Sequence, residues 1–374
     1  MTIYGAMPCF PDDSLNEILS DIDSVLKSGR LTDGPQAQEF ETKFAEYCGC
    51  KYAVAVNSGT AALDVALRYF KLKGRDVIVP TNTFVSTPNT VIFAGGNPVF
   101  ADMNKDSLCI DVEDVKRKVT SKTAGVIAVH IAGLVCPDMA ALKEFCDAKG
   151  LFLMEDAAHA HGAMANGRKA GTLADVGCFS FYPTKVMTSC EGGMITTDNK
   201  QLADEARCLR TIGQNAERQA VMLGHNWRMS EIHAAVGKHQ LEYLEEFVVK
   251  RNRVAQWYQK ALVDVDGVSF FNVPPNFRHS YYKYPVKLAD GIDRLKLGAL
   301  LKEKFGIETG HVYYPPCHLQ PYYLENFGTR MGDLPVSEHV LNQTICLPMH
   351  YEITEENVDY ICDALAASIP HAAV

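Results

Sequence analysis

The first half of the chain alternates short apolar, β-branched runs with amphipathic helical stretches. The apolar runs are YAVAV (52–56), DVIVP (76–80), NPVFAD (97–102), AGVIAVH (124–130) and LFLMED (151–156). The stretches between them include TAALDVALRYF (60–70) and DMAALKEFCDAKG (138–150). Strands and helices at this spacing predict parallel pairing, because a parallel connection needs a crossover of roughly a dozen residues. We therefore expect an α/β domain with a mostly parallel central sheet flanked by helices.

The second half has a different pattern. After GCFSFYPTKV (177–186) and GMITT (193–197) the sequence becomes mainly helical, and Ser230 opens a long amphipathic run to about residue 262. The remainder mixes one predicted strand with two predicted helices, at 280–288, 293–306 and 354–369. Because 374 residues exceed an ordinary single domain, we expect a large α/β domain at 1–245 and a smaller α+β domain at 246–374.

Composition argues against several classes of partner. The formal net charge of −9, without a Lys/Arg run, provides no basic surface for nucleic acid or an anionic membrane. No segment approaches about eighteen consecutive apolar residues, and the amino terminus lacks a cationic stretch followed by an apolar run. The twelve cysteines are scattered, with no C-x-x-C pair. We therefore expect reduced thiols in a cytoplasmic protein.

Several common catalytic motifs are missing. The sequence contains no G-x-G-x-x-G after a strand, no G-x-x-x-x-G-K-[ST], no G-x-S-x-G and no H-E-x-x-H. Dinucleotide-binding, nucleoside-triphosphate-binding, hydrolase and zincin functions therefore lose their support. Polar segments that follow predicted strands remain, where open α/β sheets usually bind ligands.

The first polar segment is NSGTAAL (57–63), between a predicted strand and the next helix. Backbone N–H groups at Ser58, Gly59 and Thr60 would favour a phosphate there, because a helix N-terminus carries free donors and a positive dipole end. An ordinary Ser/Gly turn with an N-cap is the alternative interpretation.

The second polar segment is MEDAAHAHGA (154–163), in which Asp156 ends an apolar strand. Its carboxylate could face a buried cationic nitrogen, although a strand-ending aspartate is also a common helix cap. His159 and His161 follow closely. A histidine pair can indicate a metal site, but no third and fourth ligand lies nearby, so we expect no metal.

Two further segments carry a lysine and a polar loop. Lys185 follows a strand in CFSFYPTKVMTSCEGGMITT (178–197), and Asn226 and Arg228 precede a predicted helix start in GHNWRMSEI (224–232). Taken alone, the lysine would be a solvated surface charge, and the second segment a loop with a cap.

Together and in this order, the four segments resemble the DegT/StrS family of sugar aminotransferases, which are pyridoxal-phosphate enzymes with the aspartate-aminotransferase fold (fold type I). The resemblance runs from about residue 29 to the carboxyl terminus. It implies that Lys185 binds the cofactor as a Schiff base, which an amine can do while letting an amino donor exchange onto the cofactor. It also implies that Asp156 faces the pyridine nitrogen and keeps it protonated.

The resemblance assigns further cofactor contacts. His159 would lie beside the ring hydroxyl, and Phe84 would stack on the ring, although Phe84 alone would be interpreted as core. The Ser58–Thr60 segment and the Ser180 hydroxyl would hold the phosphate. One departure is Cys190, which gives SCEGG where the family commonly has a glycine before EGG.

The resemblance also implies partners. Asn226 would reach the phosphate of a neighbouring subunit, so we expect a homodimer with shared active sites. The amino donor would be glutamate or glutamine, with Arg228 as a candidate for binding its carboxylate. The acceptor would meet the loop HVYYPPCHLQPYY (311–323). Candidate residues there, with core packing as the alternative, are His311, Tyr314 and His318.

The function that follows is transfer of an amino group from glutamate or glutamine to a keto- or aldehydo-sugar, in amino-sugar or cell-surface polysaccharide biosynthesis. Relatives that dehydrate replace the lysine with histidine, whereas this chain keeps Lys185. Alternatives are a free sugar acid, such as an oxidised 3-deoxy-octulosonate, or a cyclitol ketone as acceptor; a sugar dehydratase or amino-benzoate synthase; and a non-catalytic cofactor-binding regulator. Joint retention of Lys185, Asp156 and Ser180 argues against the regulator.

Overall fold

The computed structural model describes residues 2–373, which form thirteen α-helices and thirteen β-strands. The helices are α1 (Asp12–Ser28), α2 (Pro35–Cys48), α3 (Gly59–Tyr69), α4 (Ser86–Phe93), α5 (Val112–Lys118), α6 (Met139–Lys149), α7 (Lys200–Arg210), α8 (Glu231–Glu242), α9 (Leu244–Ala261), α10 (Arg294–Phe305), α11 (Pro321–Phe327), α12 (Pro335–Asn342) and α13 (Glu355–Ser368). The strands are β1 (Tyr52–Val56), β2 (Asp76–Pro80), β3 (Asn97–Ala101), β4 (Thr123–Val129), β5 (Phe152–Asp156), β6 (Met164–Ala165), β7 (Arg168–Lys169), β8 (Val176–Ser180), β9 (Gly193–Thr197), β10 (Val268–Phe270), β11 (Phe277–Arg278), β12 (Tyr284–Leu288) and β13 (Thr344–Leu347).

A seven-stranded sheet forms the centre of the large domain, in the order β1-β9-β8-β5-β4-β2-β3. Neighbouring strands from β8 to β3 pair in parallel, and β9 runs antiparallel to both β8 and β1. Apolar side chains fill both faces of the sheet: Ala55 packs into one buried cluster and Val54 and Val56 into the other. Burial on both faces explains why these strands are continuous apolar runs rather than alternating ones. The predicted fold class is confirmed.

The second part of the chain builds a smaller α+β unit. Its three-stranded antiparallel sheet has the order β10-β12-β13, and a third buried cluster between this sheet and its helices includes Tyr258, Leu297 and Leu365. The boundary predicted at 245 falls within the first turn of α9, so α9 continues from one unit into the other. The division at that residue stays a prediction.

Two features of the helices differ from expectation. The run from Ser230 to 262 is two helices, α8 and α9, separated by Tyr243. In addition, α1 and α2 were not predicted, and they pack against α8 and β1 through contacts distant in sequence, including a 2.7 Å ion pair between Lys238 and Asp21. Among residues 2–373, no helix is long and apolar enough to span a membrane.

Candidate active site

A cavity of about 430 Å³ lies where β4, β5 and β8 end. This volume falls within the range of roughly 300–1,000 Å³ that small-molecule sites occupy. The residues predicted for cofactor binding that line it are Ser58, Gly59, Thr60, Phe84, Asp156, His159, Ser180 and Lys185. The parallel strands bring these residues to one edge of the sheet, although they lie far apart in the sequence.

The N-terminus of α3 forms one end of the cavity. Ser58 caps this helix, and its hydroxyl accepts the Ala61 N–H at 3.1 Å. The N–H groups of Gly59 and Thr60 lie in the first turn and therefore have no partner within the helix. A Cβ on Gly59 would lie 2.5 Å from the Ser180 Cβ, so glycine lets the helix N-terminus approach the end of β8. The Ser180 hydroxyl and these donors together suit a phosphate.

Asp156 ends β5 inside the cavity and is 5% exposed. Its carboxylate accepts the Thr87 hydroxyl at 2.7 Å and the Ala158 N–H at 3.2 Å. Burial raises the pKa of Asp156, and the carboxylate forms no ion pair with a side chain of residues 2–373. Because a buried carboxylate without a cation is costly, this position suits a positively charged ligand nitrogen.

His159 is fixed by one hydrogen bond on each ring nitrogen. Its Nδ1 accepts the Ala132 N–H at 3.2 Å, which assigns the proton to Nε2, 2.8 Å from the Tyr313 hydroxyl. Burial holds the pKa of His159 well below its usual value, so the ring is neutral at physiological pH. Phe84 lies at the rim of the cavity, 56% exposed, with its ring centroid 5.9 Å from that of Tyr313.

Lys185 follows β8 and points its amine into the cavity. The Nζ lies 4.5 Å from the ring centroid of Tyr282. Burial lowers the pKa of Lys185. A larger fraction of the protein molecules therefore carries Lys185 as an uncharged amine at neutral pH. A free amine is the form that attacks a carbonyl carbon.

Residues 12–366 match the DegT/DnrJ/EryC1/StrS aminotransferase family. The chain belongs to this family. A GDP-perosamine synthase of Caulobacter vibrioides is 35% identical to this aminotransferase over 333 residues, covering 87% of this chain and 88% of the relative. The predicted family and enzyme class are therefore confirmed.

Solved structures agree with the sequence match. The Helicobacter pylori aminotransferase PseC, involved in pseudoaminic acid biosynthesis, superposes with a TM-score of 0.92 at 26% identity, covering 99% of this chain and 100% of that one. The sugar aminotransferase candidate Spr1654 of Streptococcus pneumoniae, in its PLP form, gives a TM-score of 0.91 at 25% identity, with full coverage of both chains. Enzymes of this family depend on pyridoxal phosphate, so the predicted cofactor is confirmed.

The cavity of this aminotransferase fits that cofactor. The first turn of α3 and Ser180 suit its phosphate, and Asp156 suits its protonated ring nitrogen. The half-buried Lys185 amine suits its aldehyde carbon. These three sites meet in one cavity, which matches the three chemical groups of pyridoxal phosphate.

Three residues that the sequence did not predict also line the cavity of the aminotransferase. Tyr282 lies against Lys185, and its hydroxyl is 3.1 Å from the Thr184 hydroxyl. Lys283 and Tyr313 also line the cavity. The stretch 280–288 was interpreted as a strand, but β12 starts only at Tyr284, which leaves the preceding residues free to reach the cavity. The signal available in the sequence was three tyrosines and a lysine at the start of that stretch.

Several residues predicted to contact substrate or a neighbouring subunit lie outside this cavity. Asn226 is exposed, and its backbone oxygen accepts a hydrogen bond from the Asn57 side chain at 3.4 Å. Arg228 lies 3.5 Å from Asp33. Within one chain, neither Asn226 nor Arg228 lines the Lys185 cavity.

The candidates from the loop 311–323 also lie elsewhere. His318 is fully buried, with its two ring nitrogens 2.7 Å from the Thr81 hydroxyl and 2.9 Å from the Glu338 carboxylate. This arrangement is the core packing that was the alternative interpretation. The Arg294 guanidinium stacks over the ring of Tyr314, 4.0 Å from the ring centroid. His311 lines a separate cavity of about 460 Å³.

Cys190, which stands where the family commonly has glycine, adopts a left-handed conformation with φ 67° and an exposed side chain. A residue other than glycine there costs roughly 1–2 kcal/mol. The cysteine therefore keeps the loop shape that a glycine would adopt, at some expense in stability.

Possible metal ligands occur together outside the cavity. Glu17, His239 and Glu242 place one ligand atom each within 4.8 Å of one another. His239 is already hydrogen-bonded to Asp21 at 2.8 Å, so the group is a hydrogen-bonded cluster between α1 and α8. The expectation of no metal stays a prediction.

Proposed function

We propose that this enzyme moves an amino group from glutamate to the carbonyl carbon of a keto- or aldehydo-sugar, with Lys185 as the Schiff-base lysine. The observation that carries the proposal is the convergence of the Lys185 amine, the Asp156 carboxylate and the α3 N-terminus in one cavity. Nucleotide-linked keto-sugars are the first acceptors to test, because the Caulobacter relative is named a GDP-perosamine synthase.

The residues divide the chemistry between them. When bound, pyridoxal phosphate stores the transferred amino group and accepts electrons from the carbon that loses its proton. The Asp156 carboxylate holds a proton at the ring nitrogen, and Gly59, Thr60 and Ser180 bind the phosphate. Neutral His159 donates from Nε2 and orients Tyr313. The Lys185 amine would take up and return a proton at Nζ.

Hydroxyl groups in the cavity lining favour a sugar. Besides the cofactor-binding residues, the lining includes Ser86, Tyr182, Thr184, Tyr282 and Tyr313. Hydroxyl and phenol groups donate and accept hydrogen bonds, as recognition of a polyhydroxylated acceptor requires.

The test begins with the purified enzyme loaded with pyridoxal phosphate. L-Glutamate should bleach the visible absorbance band of the lysine-bound cofactor, and a keto-sugar acceptor should restore it while gaining a primary amine detected by mass spectrometry. Lys185→Ala should lose the response, whereas Lys200→Ala, which alters an exposed lysine on α7, should keep it. Loss of water from the sugar without amine gain would favour the dehydratase alternative.

We also propose a homodimer with shared active sites. Exposed apolar side chains near Asn226 support it: Leu223 is 84% exposed and lies close to exposed Val221 and Ile212. Such a patch is typical of a protein interface. Phe84, at the cavity rim, is also exposed.

Subunit complementation tests the shared site. Lys185→Ala and Asn226→Ala should each be weak alone, because each damages both sites of its own dimer. After subunit exchange, about a quarter of all sites should be intact, since a mixed dimer carries one undamaged site. Recovery of activity on mixing supports the proposal, and absence of recovery in proven mixed dimers contradicts it.

The enzyme is proposed to act in the cytoplasm. All twelve cysteines are free in the part of the chain that the structure describes, which suits a reducing compartment. Fractionation of cells that express the tagged protein is the direct measurement.

A further inference from the structure

The amino donor imposes a requirement on the cavity. An α-amino acid brings a carboxylate close to the nitrogen that it gives up, and glutamate brings a second one. The cavity lining already contains the acidic residues Asp156 and Glu191, which disfavour another negative charge. A cation is therefore needed within reach of Lys185.

Lys283 is the second lysine that lines the cavity. Its Nζ lies 5.8 Å from the ring centroid of Tyr282, whereas the Lys185 Nζ lies 4.5 Å from the same centroid. The two amines are therefore at most 10.3 Å apart, the distance if they lay in opposite directions from that point. A donor bound at Lys185 can thus place a carboxylate near Lys283.

Hydrogen bonds position Lys283, but no acidic side chain that the structure describes pairs with its amine. Its backbone N–H donates to the Ala132 oxygen at 3.1 Å, and its amine donates to the backbone oxygen of His311. The Nζ also lies 5.5 Å from the ring centroid of Tyr313. No carboxylate pairs with this amine among residues 2–373, so two of its three N–H donors stay available.

We propose that Lys283 binds a carboxylate of the amino donor and makes the enzyme selective for acidic donors. The inference rests on the proposed aminotransferase function and adds a donor-binding residue to it. Arg228 is less suited within the same chain, because it faces Asp33 outside the cavity.

The direct test is the glutamate half-reaction of the cofactor-loaded enzyme. Lys283→Met removes the charge and nearly preserves the length of the side chain. The glutamate concentration for half-maximal bleaching should rise about tenfold to a hundredfold, as expected for loss of a charged hydrogen bond. Lys283→Arg should recover part of the loss. Lys287→Met, which removes a lysine on β12 outside the cavity lining, should behave like wild type.

Equilibrium binding gives a readout independent of turnover. Glutarate, a dicarboxylate without an amino group, should bind the cofactor-loaded wild type in calorimetry and bind Lys283→Met about tenfold more weakly or worse. L-Norvaline and 4-aminobutanoate, which each lack one of the two carboxylates of glutamate, should show which one pairs with Lys283. For each donor, the concentration for half-maximal bleaching is compared between wild type and Lys283→Met. The donor for which this concentration changes less is the one that lacks the carboxylate bound by Lys283.

The outcomes separate this inference from the proposed function. If wild type does not capture pyridoxal phosphate or respond to glutamate, the proposed function fails. If wild type responds and Lys283→Met binds glutamate and glutarate within twofold of wild type, the Lys283 inference is overturned and the proposed function stands.

Discussion

The two walls of the cavity are built in different ways. The large-domain wall places Gly59, Asp156 and Ser180 at the ends of a helix and two strands, where regular hydrogen bonding fixes the backbone. The small-domain wall uses irregular segments, in which Tyr281 and Tyr313 have φ of 47° and 37°. The large-domain wall presents groups that match the cofactor. The small-domain wall presents phenols and a lysine, which suit the amino donor and the sugar acceptor.

Hydrogen bonds to the large-domain wall hold the irregular wall in place. The Ser280 hydroxyl donates to the His159 backbone oxygen at 2.9 Å, and the Lys283 N–H donates to the Ala132 oxygen at 3.1 Å. Left-handed conformations at residues other than glycine cost roughly 1–3 kcal/mol each and persist where their surroundings fix them. We therefore expect substitutions in the large-domain wall to change cofactor affinity and reaction rate. Substitutions in the small-domain wall should instead change substrate affinity and the pKa of Lys185.

The largest effect is expected at Asp156. Asp156→Asn keeps the shape but removes the charge that balances a protonated ring nitrogen. Loss of one such group from a dry site lowers rates by on the order of a hundredfold or more. Stopped-flow measurement of glutamate bleaching gives the rate, and circular dichroism checks that the fold is retained. A rate within tenfold of wild type would contradict the proposed partner of Asp156.

Gly59→Ala should weaken cofactor binding. The added methyl group would lie 2.5 Å from the Ser180 Cβ, so α3 must move away from β8 and separate the two groups that suit the phosphate. Overpacking of roughly 1–3 kcal/mol would weaken pyridoxal phosphate affinity about fivefold to a hundredfold. Fluorescence titration of the cofactor-free protein measures this affinity. Gly310→Ala provides a glycine control, since Gly310 has no positive φ and the atom nearest to the added Cβ is the Cys346 Cβ at 3.8 Å.

The same division explains what the sequence could reveal. β1 and β2 have the predicted bounds, because apolar runs are local signals. Apolar runs of the same kind end at Asp156 in β5 and at Ser180 in β8, which is how the sequence located these two residues. Tyr282 reaches Lys185 only through left-handed backbone at Tyr281 and hydrogen bonds to distant segments, none of which has a local signature. His318 shows the same limit, because residue type alone cannot distinguish a cavity-facing side chain from a buried, hydrogen-bonded one.

His318 should matter for stability rather than for substrate. His318→Leu would leave the Thr81 hydroxyl and the Glu338 carboxylate without their 2.7 Å and 2.9 Å partners. Each lost hydrogen bond costs roughly 0.5–1.5 kcal/mol, because the Thr81 hydroxyl and the Glu338 carboxylate keep backbone N–H donors. Urea unfolding should show a decrease of this order, while the KM for the acceptor should stay within twofold. A large rise in KM with unchanged stability would instead return His318 to substrate binding.

The smallest effect is expected at Tyr282. The direction of the change shows whether Tyr282 alters the pKa of Lys185 or only packs against it. Burial alone would raise the pKa of Tyr282, but the amines of Lys185 and Lys283 lower it. In return, this phenol raises the pKa of Lys185 against the lowering caused by burial. Tyr282→Phe should therefore lower the pKa of Lys185 further. The pH dependence of cofactor capture by the cofactor-free protein should shift to lower pH. Thr184→Val, which removes the hydroxyl 3.1 Å from Tyr282 but keeps the phenol, should shift it less. An unchanged profile in Tyr282→Phe would assign Tyr282 a purely packing role.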